Sequence, residues 1–251
     1  LVVGRWQGLR ALAGLVGSGV LLVVFLVPAL IRNESAVLVA LVASAAIAFL
    51  ALYLAHGINT ATTVALAGTL LSLAVITLMA LVATEVMSLS GLASQDAQAL
   101  RVTAAALDLR GLLVAGIVVG ALGVLDDVTV TQVSAVAALK RANPRFGKVE
   151  LYREAMRVGR DHVASTVNTL VLAYAGAALP LLLLFSQGAR SVGRIVTSEI
   201  VAVEVVRMLV GSIGLILAVP ITTALAAAVL TCREDIHAGH DHGHGGVPAP
   251  P

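Results

Sequence analysis

Charge is scarce in this chain: Asp, Glu, Lys and Arg make up only 12% of its 251 residues. Soluble domains carry roughly a quarter, so an ordinary water-soluble globule is excluded. Aromatic residues are also few, at 3%, and the apolar bulk is Ala, Val and Leu with 23 Gly. That mix suits helices packed closely through small residues inside a bilayer. A lone cysteine, Cys232, rules out an internal disulfide. The sequence also lacks a CxxC pair, a phosphate-binding glycine loop and an HExxH helix, which removes the familiar thiol, nucleotide and zinc-protease signatures. No motif names a cofactor, and no enzyme class is indicated.

What is present is hydrophobic: 59% of the residues, with a mean hydropathy of +1.01. About 20 residues at a helical rise cross the hydrocarbon, and runs of that length recur. The expected fold is all-α, a polytopic transmembrane helix bundle with about six spans over residues 1–232. The spans fall at about Leu9 to Ile31, Ala36 to Ala55, Ala61 to Thr84, Leu112 to Leu139, His162 to Phe185 and Met208 to Leu230. Pro180 breaks the fifth, and Pro220 is expected to kink the sixth. Residues 85–110 are mixed in polarity and read as an external loop with helical pieces, whereas Ser186 to Arg207 reads as an amphipathic or re-entrant segment. The chain opens on Leu1 rather than Met, as expected of a processed chain or a fragment.

The net charge of +2 sits in the connections, so its meaning is orientation and not nucleic-acid binding. Lys140, Arg141, Arg145, Lys148, Arg153, Arg157 and Arg160 crowd the segment between the fourth and fifth spans. That basic 140–161 loop is expected on the cytoplasmic side of a bacterial inner membrane. Six spans then put the start, with Arg5 and Arg10, and the C-terminus, with Arg233, on the same side. Residues 233–251 form a low-complexity tail, expected to be disordered. Its His237, His240, His242 and His244 are spaced to take up Zn, Ni or Cu loosely.

One feature contradicts the oil around it. Asp126 and Asp127 are adjacent in GALGVLDDVTVTQ, mid-way through the fourth span. An Asp at mid-span costs about 2.5–3.5 kcal/mol on insertion scales, and a protonated acid avoids much of that cost. The pair therefore reads as a proton carrier, as two hard oxygens for a small cation, or as the cap or ion-pair partner of another helix. Gly116, Gly120, Gly123, Asp127, Thr131 and Ser134 share one helical stripe, expected to face a protein partner or a wet cavity and not lipid. Asp126, Thr129 and Gln132 continue its polar surface.

In the fifth span Thr166, Asn168 and Thr169 are candidate pathway residues facing the acids, with Asp161 and His162 at the cytoplasmic mouth. Glu204 is a further candidate acid, although Arg207 stands three residues on and suits a helical pair. Gly211, Gly214, Ala218 and Thr222 form a small-residue face for helix packing. An aspartyl dyad is set aside, because adjacent side chains on one helix diverge by about 100° and cannot share one water.

GRWQGLRALAGL, FLVPAL, YLAHG, GALGVLDDVTVTQ and VGRDHVASTVNTLVLAYAGAALPLLLLF together resemble the YibE/F-like bacterial membrane proteins, over most of Gly4 to Leu230. The resemblance implies a polytopic inner-membrane protein and adds little chemistry. A weaker likeness, in order more than in letters, is to the proton-driven core of the SecD/SecF and RND-type machines, bearing on Asp126 and Asp127. The expected function is an inner-membrane permease or proton- or cation-coupled transport component. The alternative is a non-transporting scaffold that uses the polar stripe for helix contacts. The expected partners are the lipid bilayer, a proton or small cation, and a second copy or another membrane protein.

Overall fold

The computed structural model describes residues 5–104, 106–187, 193 and 197–240, and they are helical almost throughout. The helices are α1 (Arg5–Leu21), α2 (Val27–Ile31), α3 (Ala36–His56), α4 (Thr60–Val86), α5 (Gln95–Thr103), α6 (Leu109–Ala142), α7 (Lys148–Ala177), α8 (Leu179–Gln187) and α9 (Glu199–His240). A π turn, Leu22–Leu26, joins α1 to α2. Pro28 lies just beyond it and brings no N–H to close an ordinary bond onto Val24. Elsewhere short polar caps start the helices. Asn59 Oδ1 accepts from Thr62 N at 2.9 Å, Ser94 Oγ from Ala97 N at 3.1 Å, and Asp108 Oδ1 from Gly111 N at 3.0 Å.

Five helical stretches are long and apolar enough to cross a membrane: Gly8–Ile31, Ala36–His56, Thr60–Val86, Leu109–Ala142 and Glu199–Thr231. Successive traversals put Arg10, the turn at 57–59 and the turn at 143–147 at one end, called here the His56 end. Residues 32–35, the 87–108 segment and Glu199 lie at the opposite end. Because α6 finishes at the first end and α9 begins at the other, α7 and α8 must carry the chain back across. A sixth crossing therefore follows from connectivity, in keeping with about six spans.

The basic segment is not a loop as expected. The turn is only residues 143–147, and from Lys148 the chain is already the first half of α7. The reason is a buried face at helical spacing: Leu151, Ala155 and Gly159 point inward, and Leu151 and Ala155 pack with Val64, Val133, Val136 and Ala226. The charged side chains occupy the opposite faces. Of Ser186 to Arg207, expected as an amphipathic or re-entrant segment, the part Glu199–Arg207 is instead the start of α9, which runs on through Pro220.

The core is the three-helix contact of α4, α6 and α9. Small residues let these backbones approach. A Cβ placed on Gly68 would meet the Thr222 side chain at 2.5–3.2 Å, and one on Gly214 would run into the Ile76 side chain. At the far end, the Glu199 carboxylate accepts from Ser90 N at 2.7 Å and Gly91 N at 3.0 Å, and from Ser90 Oγ at 2.8 Å. Gly91 has φ +76° and lies against the backbone of Leu109, where no side chain fits. This clamp ties the start of α9 to the exit of α4.

The two glycines of α9 separate cleanly. Gly211→Ala should be neutral, since a Cβ there meets nothing within 4 Å. Gly214→Ala must displace Ile76, which is fully buried, and should cost about 1–3 kcal/mol. Thermal unfolding midpoints of the two variants in one detergent check the contrast, and equal midpoints would refute the packing.

Candidate functional site

α6 has three unlike flanks. Val114, Val118, Leu125 and Val128 face the core. Thr129 turns inward with them, and its Oγ1 lies 2.8 Å from Thr69 Oγ1 in a fully buried contact between α6 and α4. Gln132 is also buried, so it does not extend the open polar surface as its spacing suggested. Its Nε2 donates to the Ala155 carbonyl at 3.0 Å and to Thr223 Oγ1 at 2.7 Å. Gly159 makes room for this amide, because a Cβ there would stand 2.9 Å from Gln132 Oε1. These bonds join α6, α7 and α9 at one depth, and with the helices pinned the direction of the two acids is fixed.

Asp126 is half-buried and turned toward α1, α3 and α4. Its Oδ1 is enclosed and has no hydrogen-bond partner among the described residues, while the Thr69 hydroxyl sits beside the same carboxyl group. Asp127, one residue on and about 100° round the helix, is exposed. Both line a cleft of about 400 Å³ walled by α1 and α3, where Gly14, Ser18, Ala51 and His56 are the smallest or most polar groups. The remaining wall is almost wholly apolar, including Leu22 of the π turn. His56 also lines a pocket of about 170 Å³ with Asn59, Thr62 and Ser134, and a third with Gly8 and Arg10. His56 therefore marks the mouth of a cleft that carries the acids part-way along it and continues past them to Leu122 and Val119.

The glycine stripe lies differently from expectation. Gly116, Gly120, Gly123, Asp127 and Ser134 are exposed and Thr131 is half-buried, so no helix among the described residues covers that flank. A Cβ on Gly116 or Gly123 would meet nothing within 4 Å, and on Gly120 only the Tyr174 hydroxyl, at 4.0 Å. The physical reason is competition between faces. The broader apolar face of α6 takes α4 and α9, and α7 docks through Val163, Val167 and Leu170 on Val128, Leu215 and Val219.

The α7 candidates do not join the acids. Thr166 Oγ1 donates to the His162 carbonyl at 2.9 Å and Thr169 Oγ1 to that of Ser165 at 3.0 Å, both within their own helix. Asn168 is exposed, and none of the three lines the cleft. Asp161 is exposed, and His162 is half-buried with its Nε2 enclosed and unpartnered among the described residues. Glu204 accepts from Arg207 Nη1 at 2.9 Å as an i,i+3 pair. The side chains of His237 and His240, and the whole of His242 and His244, lie outside the described residues.

Spacing missed His56, Ser18 and Thr69. His56 opens a turn, and only its position at the end of an apolar run hinted at a pore mouth. Ser18 and Thr69 belong to other spans, and nothing local ties them to Asp126. No curated protein matches the chain, and no solved structure does. The YibE/F-like protein family model matches residues 1–232, nearly the whole chain. With apolar helices of crossing length and a matching span of that extent, this is a multi-pass membrane protein that belongs to the YibE/F-like family.

Proposed function

We propose that this chain is a proton-coupled transport component of a bacterial inner membrane, with Asp126 the coupling acid. The observation that carries the reading is the enclosed Asp126 Oδ1, without a hydrogen-bond partner among the described residues, on the wall of a cleft that reaches the His56 end. A carboxyl group in apolar surroundings with no cation beside it is stable as the neutral acid, and becomes charged only while a proton leaves. The open cleft supplies the route by which water meets it.

A proton fits better than a metal cation. Asp126 and Asp127 diverge around the helix, so their oxygens do not converge on one ion. Among the described residues no three His, Cys, Asp or Glu side chains are grouped to hold a metal. His56 and Arg10 at the mouth give the entrance basic and titratable character. The Lys140–Arg160 concentration at this same end supports a cytoplasmic placement by the excess of Lys and Arg. The N-terminus falls on that side with it. On this reading Asp127, which lines the same cleft from the open flank, is not the coupling acid.

A second reading keeps one specific support. The bare Gly116, Gly120 and Gly123 face accepts a close helix, as a scaffold or a second copy would need. Crosslinking through Gly123→Cys in native membranes tests it: a dimeric or partner adduct supports that use, and a monomer alone removes it.

Two measurements bear on the proton reading without knowledge of a transported solute. A hydrophobic carbodiimide modifies protonated carboxyl groups in apolar surroundings. In membrane vesicles at neutral pH it should label Asp126, as peptide mass spectrometry reads. No label on Asp126 while the protein is intact would sink the assignment. In proteoliposomes under an imposed pH gradient, Asp126→Asn should abolish proton flux and Asp127→Asn should retain most of it. His56→Ala should slow flux without abolishing it. Flux unchanged by Asp126→Asn, with normal insertion, argues for the scaffold.

A further inference from the structure

A second apolar hollow lies on the other flank of α6, between α7 and α9. Its volume is about 520 Å³, and Met156, Val163 and Val167 of α7 face Ile216 and Pro220 of α9 across it. Arg160 forms its rim and is the one charged side chain there. Arg160 makes no ion pair or hydrogen bond among the described residues, in contrast to Arg157, which holds Glu154 at 3.1 Å. Arg153 stands seven residues earlier on the same flank of α7, roughly 10 Å further out, and is likewise exposed and unpaired among the described residues. Asp161 points about 100° away from Arg160 round the helix.

The depth of the rim is set by the sequence. Arg160 is the last cation of α7 before an uncharged stretch that begins at His162. When that stretch lies in hydrocarbon, the guanidinium sits at headgroup level and its stem lies along the hollow. Leu172 and Leu183, further along the same crossing, are exposed as lipid-facing residues should be.

We propose that this hollow is a binding site for one anionic glycerophospholipid of the leaflet at the His56 end. Arg160 takes the phosphate through its planar fork, Arg153 meets the outer part of the headgroup, and an acyl chain lies along Val163, Val167, Ile216 and Pro220. The charge complementarity singles out a lipid. A partner helix laid in the same hollow would have to bring its own carboxylate to headgroup depth, and would also displace the chain-shaped apolar contact. The inference rests on the chain being membrane-embedded and is independent of the coupling role of Asp126.

The test uses the full chain in nanodiscs with a tryptophan in the hollow: Ile216→Trp in a Trp6→Phe background. Brominated phosphatidylglycerol and brominated phosphatidylcholine of identical acyl chains are compared as quenchers at equal mole fraction. Phosphatidylglycerol should be preferred by about fivefold for each arginine engaged at physiological salt. Arg160→Gln should remove most of that preference and Arg153→Gln part of it, with helicity unchanged by circular dichroism. Ala164→Phe, which narrows the hollow while leaving both arginines, should reduce quenching by both lipids. Equal quenching by the two lipids, or a preference indifferent to Arg160→Gln, overturns the proposal. So does poor quenching by both, since that places a protein in the hollow. A preference that survives Ala164→Phe at full quenching shows surface attraction alone and overturns the site.

Discussion

The rotation of α6 about its own axis is the constraint on which the site depends. Val118, Leu125 and Val128 are driven onto α4 and α9, and two polar links lock the result. Thr129 meets Thr69 of α4, and Gln132 meets Ala155 of α7 and Thr223 of α9. In lipid no hydrophobic force sorts one apolar helix face from another, so small-residue packing and interhelical hydrogen bonds decide. A turn of α6 by one residue position would break both links and strand a buried amide. Asp126 therefore faces the α1–α3 cleft because residues three and six positions later are held elsewhere.

That dependence also explains what the sequence could and could not say. The long apolar runs made the helices legible, since length and hydropathy are local properties. The divergence of Asp126 from Asp127 was legible too, as simple helical geometry, and the structure gives the two acids different surroundings. The partners of the acids were not legible. His56 lies 70 positions before Asp126 and Thr69 lies 57 before it, counted from the residue numbers, and no periodicity reports which span meets which. Thr166, Asn168 and Thr169 were placed opposite the acids by polarity alone, but α7 presents Val163, Val167 and Leu170 inward.

The basic segment shows a different limit. Seven Lys and Arg between residues 140 and 160 suggested a solvated loop. Yet Leu151, Ala155 and Gly159, at spacings of four, make an inward stripe narrow enough to be hidden among charges. Charge density described where the segment lies relative to the bilayer, and the small residues described its shape. The same helix then serves both ends of the argument: Ala155 and Gly159 hold Gln132, while Arg160, beside Gly159, borders the lipid-facing hollow.

The cleft and the core differ in how firmly they are held, and the difference bears on mechanism. Half of the most apolar window of α4 and of α6 is buried in the bundle, but only 6% of that of the first span is. The first span leans chiefly on α3, through Gly14 against Ala51 and Gly17 against Leu50, and its π turn lies in the cleft wall at Leu22. Moving this wall would break apolar contacts with α3, whereas moving α6 would break the Thr69–Thr129 and Gln132 links together. A coupling acid needs a fixed support on one side and a displaceable cover on the other, so that access to it changes while its position does not. Asp126 has both: a helix locked from behind by hydrogen bonds and, in front, a largely exposed span held by apolar contacts.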